Sequence, residues 1–217
     1  MLEKIHEQPE KRTDDRPEVI VVRNWKEYLG ESLLIVFSVA LAIILTEVFT
    51  KIHEDRQTRE ILHQLRQELI SNNDAEEIQY QYHLQVLHNI DSALLDEKYR
   101  KKFMDSGRIH LPVIAPHGVI RKDLNDVAWQ VAKENNIVSK LNLKTYSLLT
   151  DIYDNQQRIV KSEDEIGKVL LSYDSRKPEN AKTTLILMYD NYRAWAVDRA
   201  PALLDKYKKA IDELGDY

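Results

Sequence analysis

Seven histidines and 36 carboxylates, with no cysteine, are the side chains from which any metal or acid–base site in this 217-residue chain would be built. Glu60 and His63 have the Glu-x-x-His spacing that sets two ligands on one helix face, as in di-metal carboxylate bundles. Such a centre needs a second copy of the pair and two further inward glutamates. The one other match, Glu3 and His6, lies at the N-terminal end, so Glu60 and His63 read as solvated helix surface. His83 and His88 stand five apart and do not share a helical face. There is no His-Glu-x-x-His and no Gly-x-Ser-x-Gly elbow, and 5 glycines do not build a phosphate cradle. Glu163, Asp164 and Glu165 read as a solvated charge run. The sequence therefore predicts no catalytic residue, no metal ligand set and no cofactor, and a protein that is not an enzyme.

Aromatic residues offer a different chemistry. Trp129, Trp195, Tyr146, Tyr153, Tyr189 and Tyr192 fall at helical spacing, which predicts core packing. The alternative is a small-ligand pocket between helices, with Arg193 and Arg199 beside Trp195 to hold a carboxylate.

The elements that carry these residues follow from composition. Only 5 Gly and 6 Pro against 31% charged residues favour helices over a turn-rich β fold. A net charge of −5, from 31 basic and 36 acidic residues, gives no footprint for nucleic acid. The mean hydropathy of −0.50 conceals one very apolar stretch. Tyr28 to Phe49 is 22 residues long, and its Ser32–Phe49 part holds twelve Leu, Ile, Val and Phe residues. At 1.5 Å per residue it reaches about 33 Å, the thickness of a hydrocarbon core. Those residues favour insertion by roughly 4 to 7 kcal/mol, more than the about 2.5 to 3.5 kcal/mol that a midplane carboxylate opposes. Glu47, the one ionisable group from Ser32 to Phe49, sits near an end and reaches the headgroups. Trp25 and Tyr28 occupy interfacial positions with it. Ser38 and Ala42 form a small-xxx-small pair that allows two spans to approach closely. Lys11, Arg12, Arg16, Arg23 and Lys26 before the span, against Lys51, Arg56, Arg59 and Arg66 after it, set no clear orientation.

Residues 1–24 read as a disordered polar tail, 25–50 as the transmembrane segment and 51–217 as a helical bundle domain. From residue 51 no turn signal appears until Gly107, which predicts one long helix to about residue 100. It carries a stripe at Leu62, Leu65 and Leu69 and another at Leu84, Leu87 and Leu94, with polar Ser71 to Asp74 marking a loss of phase or a break. Gly107 to Gly118 reads as a loop with an extended piece at 109–115. Asp123 is the expected N-cap of a helix running to Val138, and Asn142 of the next. That helix shows a coiled-coil-like seam of Leu148, Ile152, Asn155, Ile159, Ser162, Ile166, Val169 and Tyr173, spaced four and three. A last helix to Leu214 presents Leu185, Tyr189, Tyr192 and Ala196, is kinked by Pro201, and continues with Leu203, Tyr207 and Leu214. The expected fold is all-α: an N-terminal transmembrane helix continuing into a long helix, and a membrane-tethered antiparallel bundle of about four helices.

Tyr28-Leu29-Gly30-Glu31 before the span, and then a charged helix with Leu62, Leu65 and Leu69, resembles a family of small single-pass membrane proteins from Gram-negative bacteria. Ala128-Trp129 at the start of the second soluble helix also resembles that family, whereas Thr46-Glu47-Val48-Phe49 replaces its Asn-rich stretch. The resemblance implies a bacterial inner-membrane anchor with the helical domain in the periplasm, and implies no activity. The expected partners are the lipid bilayer and either a second copy of the chain or a membrane protein. The expected role is a non-enzymatic scaffold or interaction module, with a ligand-sensing ectodomain as the alternative.

Overall fold

The computed structural model describes residues 25–119 and 122–216, and the chain divides into two units, Met1–Ile52 and His53–Tyr217. The expected tail at 1–24 lies outside the described residues, as do the side chains of Ser162 and Trp195. The fold is all-α apart from one two-residue hairpin. Helix α1 spans Trp25–Leu95, α2 Glu97–Phe103, α3 Val127–Glu134, α4 Leu143–Leu171, α5 Ala181–Asn191 and α6 Ala200–Glu213. Strands β1, Met104–Asp105, and β2, Arg108–Ile109, pair antiparallel.

In the first unit, every described side chain from Trp25 to Ile52 is exposed, including Leu33, Phe37, Ile43 and Phe49. An 18-residue window of this segment has a mean hydropathy of 2.5 and is 0% buried, which makes it long and apolar enough to cross a membrane. Two of its hydroxyls are satisfied within the helix. Ser38 donates to the Leu34 carbonyl at 2.7 Å and Thr46 to the Ala42 carbonyl at 2.8 Å. A helix that pairs its own backbone groups and turns a run of apolar side chains outward, as Leu33 to Leu45 does, is suited to hydrocarbon.

The second unit is a four-legged bundle. Its first leg is α1 from His53, its third α4 and its fourth α5 with α6. The second leg comprises residues 114–119 and 122–140, and among these its helical turns lie from Val127 onward. Two apolar cores fill the space between. One joins Leu62, Leu65 and Leu69 of α1 to Trp129 of α3, Leu149 and Ile152 of α4, and Leu203 and Tyr207 of α6. The other joins Val86 and Ile90 to Phe103, Ile114, Ile166 of α4, and Leu185 and Met188 of α5. Legs one and two run antiparallel: Asn89 bonds the Ile114 carbonyl, Asn72 that of Asn125, and Gln57 the side chain of Asn135. Legs three and four are antiparallel too, since Lys144 at the start of α4 pairs with Glu213 at the end of α6.

Several expected boundaries move, each for a local reason. The long helix ends at Leu95, because Asp96 turns extended and accepts the Lys98 N–H at 2.8 Å to cap α2. Arg100 then donates to the Ala93 and Leu94 carbonyls, both at 3.1 Å, closing the end of α1. The expected extended piece at 109–115 is a strand only at Arg108–Ile109. A turn joins it to β1 through Ser106 and Gly107, whose positive φ of 49° and 79° suit a tight hairpin. Asp123 caps nothing, because α3 begins at Val127. Asn142 caps α4, accepting the Thr145 N–H at 2.9 Å. Pro201 does not kink a helix. It sits in the first turn of α6, where its missing N–H costs nothing, and the bend before it is a π-helical turn at Tyr192–Val197.

Candidate functional site

The stripe on α1 does not lose phase at Ser71. Leu62, Leu65, Leu69, Asn72, Glu76, Gln79, His83, Val86, Ile90 and Ala93 alternate three and four apart and are all buried. Four polar residues, Asn72, Glu76, Gln79 and His83, thus take seam positions in the gap between the two cores. The separate stripe expected at Leu84, Leu87 and Leu94 is corrected: Leu84 is exposed, Leu87 is buried and Leu94 is half-buried.

The upper half of the second leg explains most of this layer. Non-helical backbone inside a bundle needs hydrogen-bond partners, and α1 supplies them. Asn72 pairs with Asn125 reciprocally, donating to its carbonyl at 2.6 Å and accepting its N–H at 2.9 Å. Gln79 accepts the Lys122 N–H at 3.0 Å. Tyr82 donates to the Gly118 carbonyl at 2.6 Å and accepts the His117 N–H at 3.1 Å. From outside α1, Tyr192 donates to Val119 at 3.1 Å and Gln156 to Asn125 at 3.2 Å. His83 is held neutral. One ring nitrogen lies 2.9 Å from the Gln79 amide nitrogen and accepts from it, while the other bonds the Val119 backbone. Burial lowers its pKa from 6.5 to about 4, against that backbone bond.

A second carboxylate in the bundle has a full set of partners. Glu68 accepts the Ala128 and Trp129 N–H groups at 2.7 and 3.3 Å and the Tyr153 hydroxyl at 2.7 Å. It therefore caps α3 from a different helix, in the role the sequence assigned to Asp123. Burial first, and then the Glu68 charge, push the Tyr153 hydroxyl far above the ordinary tyrosine range.

Glu76 is different. Its side chain is 2% exposed, Oε2 has no hydrogen-bond partner among the described residues, and burial raises its pKa from 4.5 to about 7. The Gln156 Oε1 and the Tyr207 hydroxyl are also buried without partners. Beside Glu76 lies a cavity of about 180 Å³, with Gln79, Lys122, Asp123, Leu124, Ile159 and Val160 as its other walls. A larger open groove of about 670 Å³ runs between the hairpin and the end of α4, lined by Arg108, His110, Gly167, Leu170, Leu171 and Arg176 among others.

The residues singled out from the sequence fall in several places. Trp25, Tyr28, Ser38, Ala42 and Glu47 are all exposed on the apolar unit. In the α4 seam, Ile152, Ile159 and Ile166 are buried, whereas Leu148 and Val169 are half-buried and Tyr173 is exposed. Gln156, beside the expected Asn155, is buried, as is Thr145 in the first turn of α4. Asn155 turns back to its own helix, donating to the Asp151 carbonyl at 2.7 Å. Glu60 and His63 are exposed, and among the described residues no three His, Cys, Asp or Glu side chains gather to hold a metal. Trp129 stacks on Tyr153 at 5.1 Å between ring centroids. Arg193 bonds the Tyr189 hydroxyl and Arg199 the Ala194 carbonyl, so both are engaged locally. The Glu76 layer escapes a reading by hydropathy. The one signal for it is the unbroken three-four spacing through polar residues.

The chain matches no family model, no curated protein and no solved structure.

Proposed function

We propose that this protein is a non-enzymatic, single-pass membrane-anchored helical module, whose bundle acts as a scaffold for a second copy of the chain or for a membrane protein. The observation that carries this reading is the segment Tyr28 to Phe49, whose large apolar side chains are all exposed. Burying one such side chain is worth roughly 1.5 to 3 kcal/mol, so a run of them left in water is strongly unfavourable and a bilayer relieves it. The second unit closes its own two cores without that segment. In this reading the anchor lies in a bacterial inner membrane and the bundle faces the periplasm. Because the chain has no native cysteine, single cysteines placed before residue 20 and after residue 180 report topology cleanly. Labelling from outside spheroplasts should mark the C-terminal site alone, and cross-linking in cells should give a discrete larger species. Labelling of the N-terminal site alone would refute the orientation, and a strictly monomeric product would refute the scaffold role.

A second reading, a ligand-sensing domain, is favoured by the unpartnered Glu76 carboxyl and the cavity beside it.

A further inference from the structure

Inventory of donors and acceptors in the polar layer leaves a specific deficit. Asn72, Gln79, Tyr82 and His83 each meet a backbone or side-chain partner, as described above. Among the described residues, Glu76 Oε2 and the Gln156 carbonyl oxygen are acceptors that meet no donor, and the Tyr207 hydroxyl, which feels the Glu76 charge, is also buried without a partner. Native interiors leave few such atoms, and a buried carboxyl without donor or countercharge is among the most unfavourable of them. Asn72 and Gln79, its neighbours in the same row, serve the loop backbone at Asn125 and Lys122, whereas Glu76 Oε2 bonds no described residue.

The cavity beside Glu76 adds shape to this deficit. Its volume of about 180 Å³ is below the roughly 300 to 1,000 Å³ of drug-sized pockets. It is close to the roughly 150 Å³ cavity that accepts a benzene-sized molecule. Buried Ile159 and half-buried Leu124 give it apolar walls, and exposed Lys122, Asp123 and Val160 mark its open side. A guest that fits must be small, carry hydrogen-bond donors and positive charge at one end, and have a short aliphatic body at the other. An ammonium group has three donors and no acceptor, the complement of the unmet Glu76 oxygen.

We propose that the cavity beside Glu76 is a binding site for a small aliphatic primary amine, its ammonium group on the Glu76 carboxylate and its carbon chain against Leu124 and Ile159. This rests on the sensing reading for its purpose only. The site exists or fails independently of the scaffold role.

The test titrates the full chain in detergent micelles at pH 8 with n-butylammonium chloride, read by calorimetry and by thermal unfolding. Sodium chloride, n-butanol and sodium butyrate at matched concentration are the controls. Saturable binding of the amine, with a rise in melting temperature that the three controls do not give, is the expected result. Glu76→Gln keeps the shape and removes the charge, and should weaken binding by about tenfold or more, the usual scale for a charge-assisted hydrogen bond. Leu124→Trp fills the cavity from its half-buried wall and should abolish binding while Glu76 is intact. The proposal is overturned if the amine does no more than sodium chloride, if n-butanol binds equally well, or if Glu76→Gln responds as the native chain does. The first of these would leave water as the occupant. Cross-linking in cells separates such a failure from failure of the scaffold role.

Discussion

Replacing Glu76 by Gln isolates the energetics of the polar layer. Folding raises the Glu76 pKa from 4.5 to about 7, so between those values the folded chain holds a proton that the unfolded chain has lost. Stability from this group is complete below pH 4.5, falls as pH rises, and is gone above about 7. At 1.36 kcal/mol per unit, the full change is about 3 kcal/mol. His83 has the opposite sign. Its pKa falls from 6.5 to about 4, so its contribution is present above 6.5 and lost as pH falls through 4. Between pH 4.5 and 6.5 the two slopes oppose each other, and the native chain shows little net dependence from this pair. Denaturant titration of the full chain in micelles, followed by tryptophan fluorescence from pH 4 to 8, measures the difference between native and Glu76→Gln proteins. That difference should change by about 3 kcal/mol in favour of the variant from pH 4.5 to pH 8, with most of the change complete by pH 7. A difference that does not vary with pH would mean that Glu76 is solvated or paired, and would remove the basis of the layer described above.

Other consequences are open to direct measurement. Glu68→Ala leaves two N–H groups of α3 and the Tyr153 hydroxyl without an acceptor, and should destabilise the bundle by roughly 2 to 4 kcal/mol in the same denaturation assay. Tyr153→Phe, which removes one of those bonds, should cost about 1 kcal/mol. Asn72→Ala breaks the reciprocal pair with Asn125, so amide hydrogen exchange should accelerate at Asn125 while the Val86 to Ile90 region stays protected. Gly107→Ala places a side chain at φ 79°, where the nearest atom is the Arg176 carbonyl at 3.5 Å. The contact is ordinary and the backbone is not, so a loss of about 1 kcal/mol is expected.

Much of the architecture was legible because spacing and apolar type agree. The exposed apolar segment, the Leu62–Leu65–Leu69 stripe, the Asn142 cap and the buried Leu203 and Tyr207 are of this kind. Legibility failed where a residue's partner is distant in sequence. Asn72, Glu76, Gln79 and His83 look like a solvated face, because nothing local reveals that a loop some 40 to 50 residues away presents its backbone to three of them. The α3 cap was misplaced for the same reason, since Glu68 lies 60 residues before the N–H it serves. The α4 seam holds at Ile152, Ile159 and Ile166, but Asn155, which shares its spacing, is only half-buried and bonds the Asp151 carbonyl of its own helix. The neighbouring Gln156 is buried with its amide on the Asn125 carbonyl. The break at Asp96 and the π-helical turn at Tyr192–Val197 depend on capping and packing geometry that hydropathy does not carry.

The account stands on the apolar part of α1 lying in lipid. Membranes from cells expressing the full chain, washed with alkaline carbonate and then urea, should retain it in the pellet. A chain ending the apolar run, by Leu41→Arg with Ile44→Arg, should be released to the supernatant. Recovery of the unaltered chain in the supernatant would contradict the central claim.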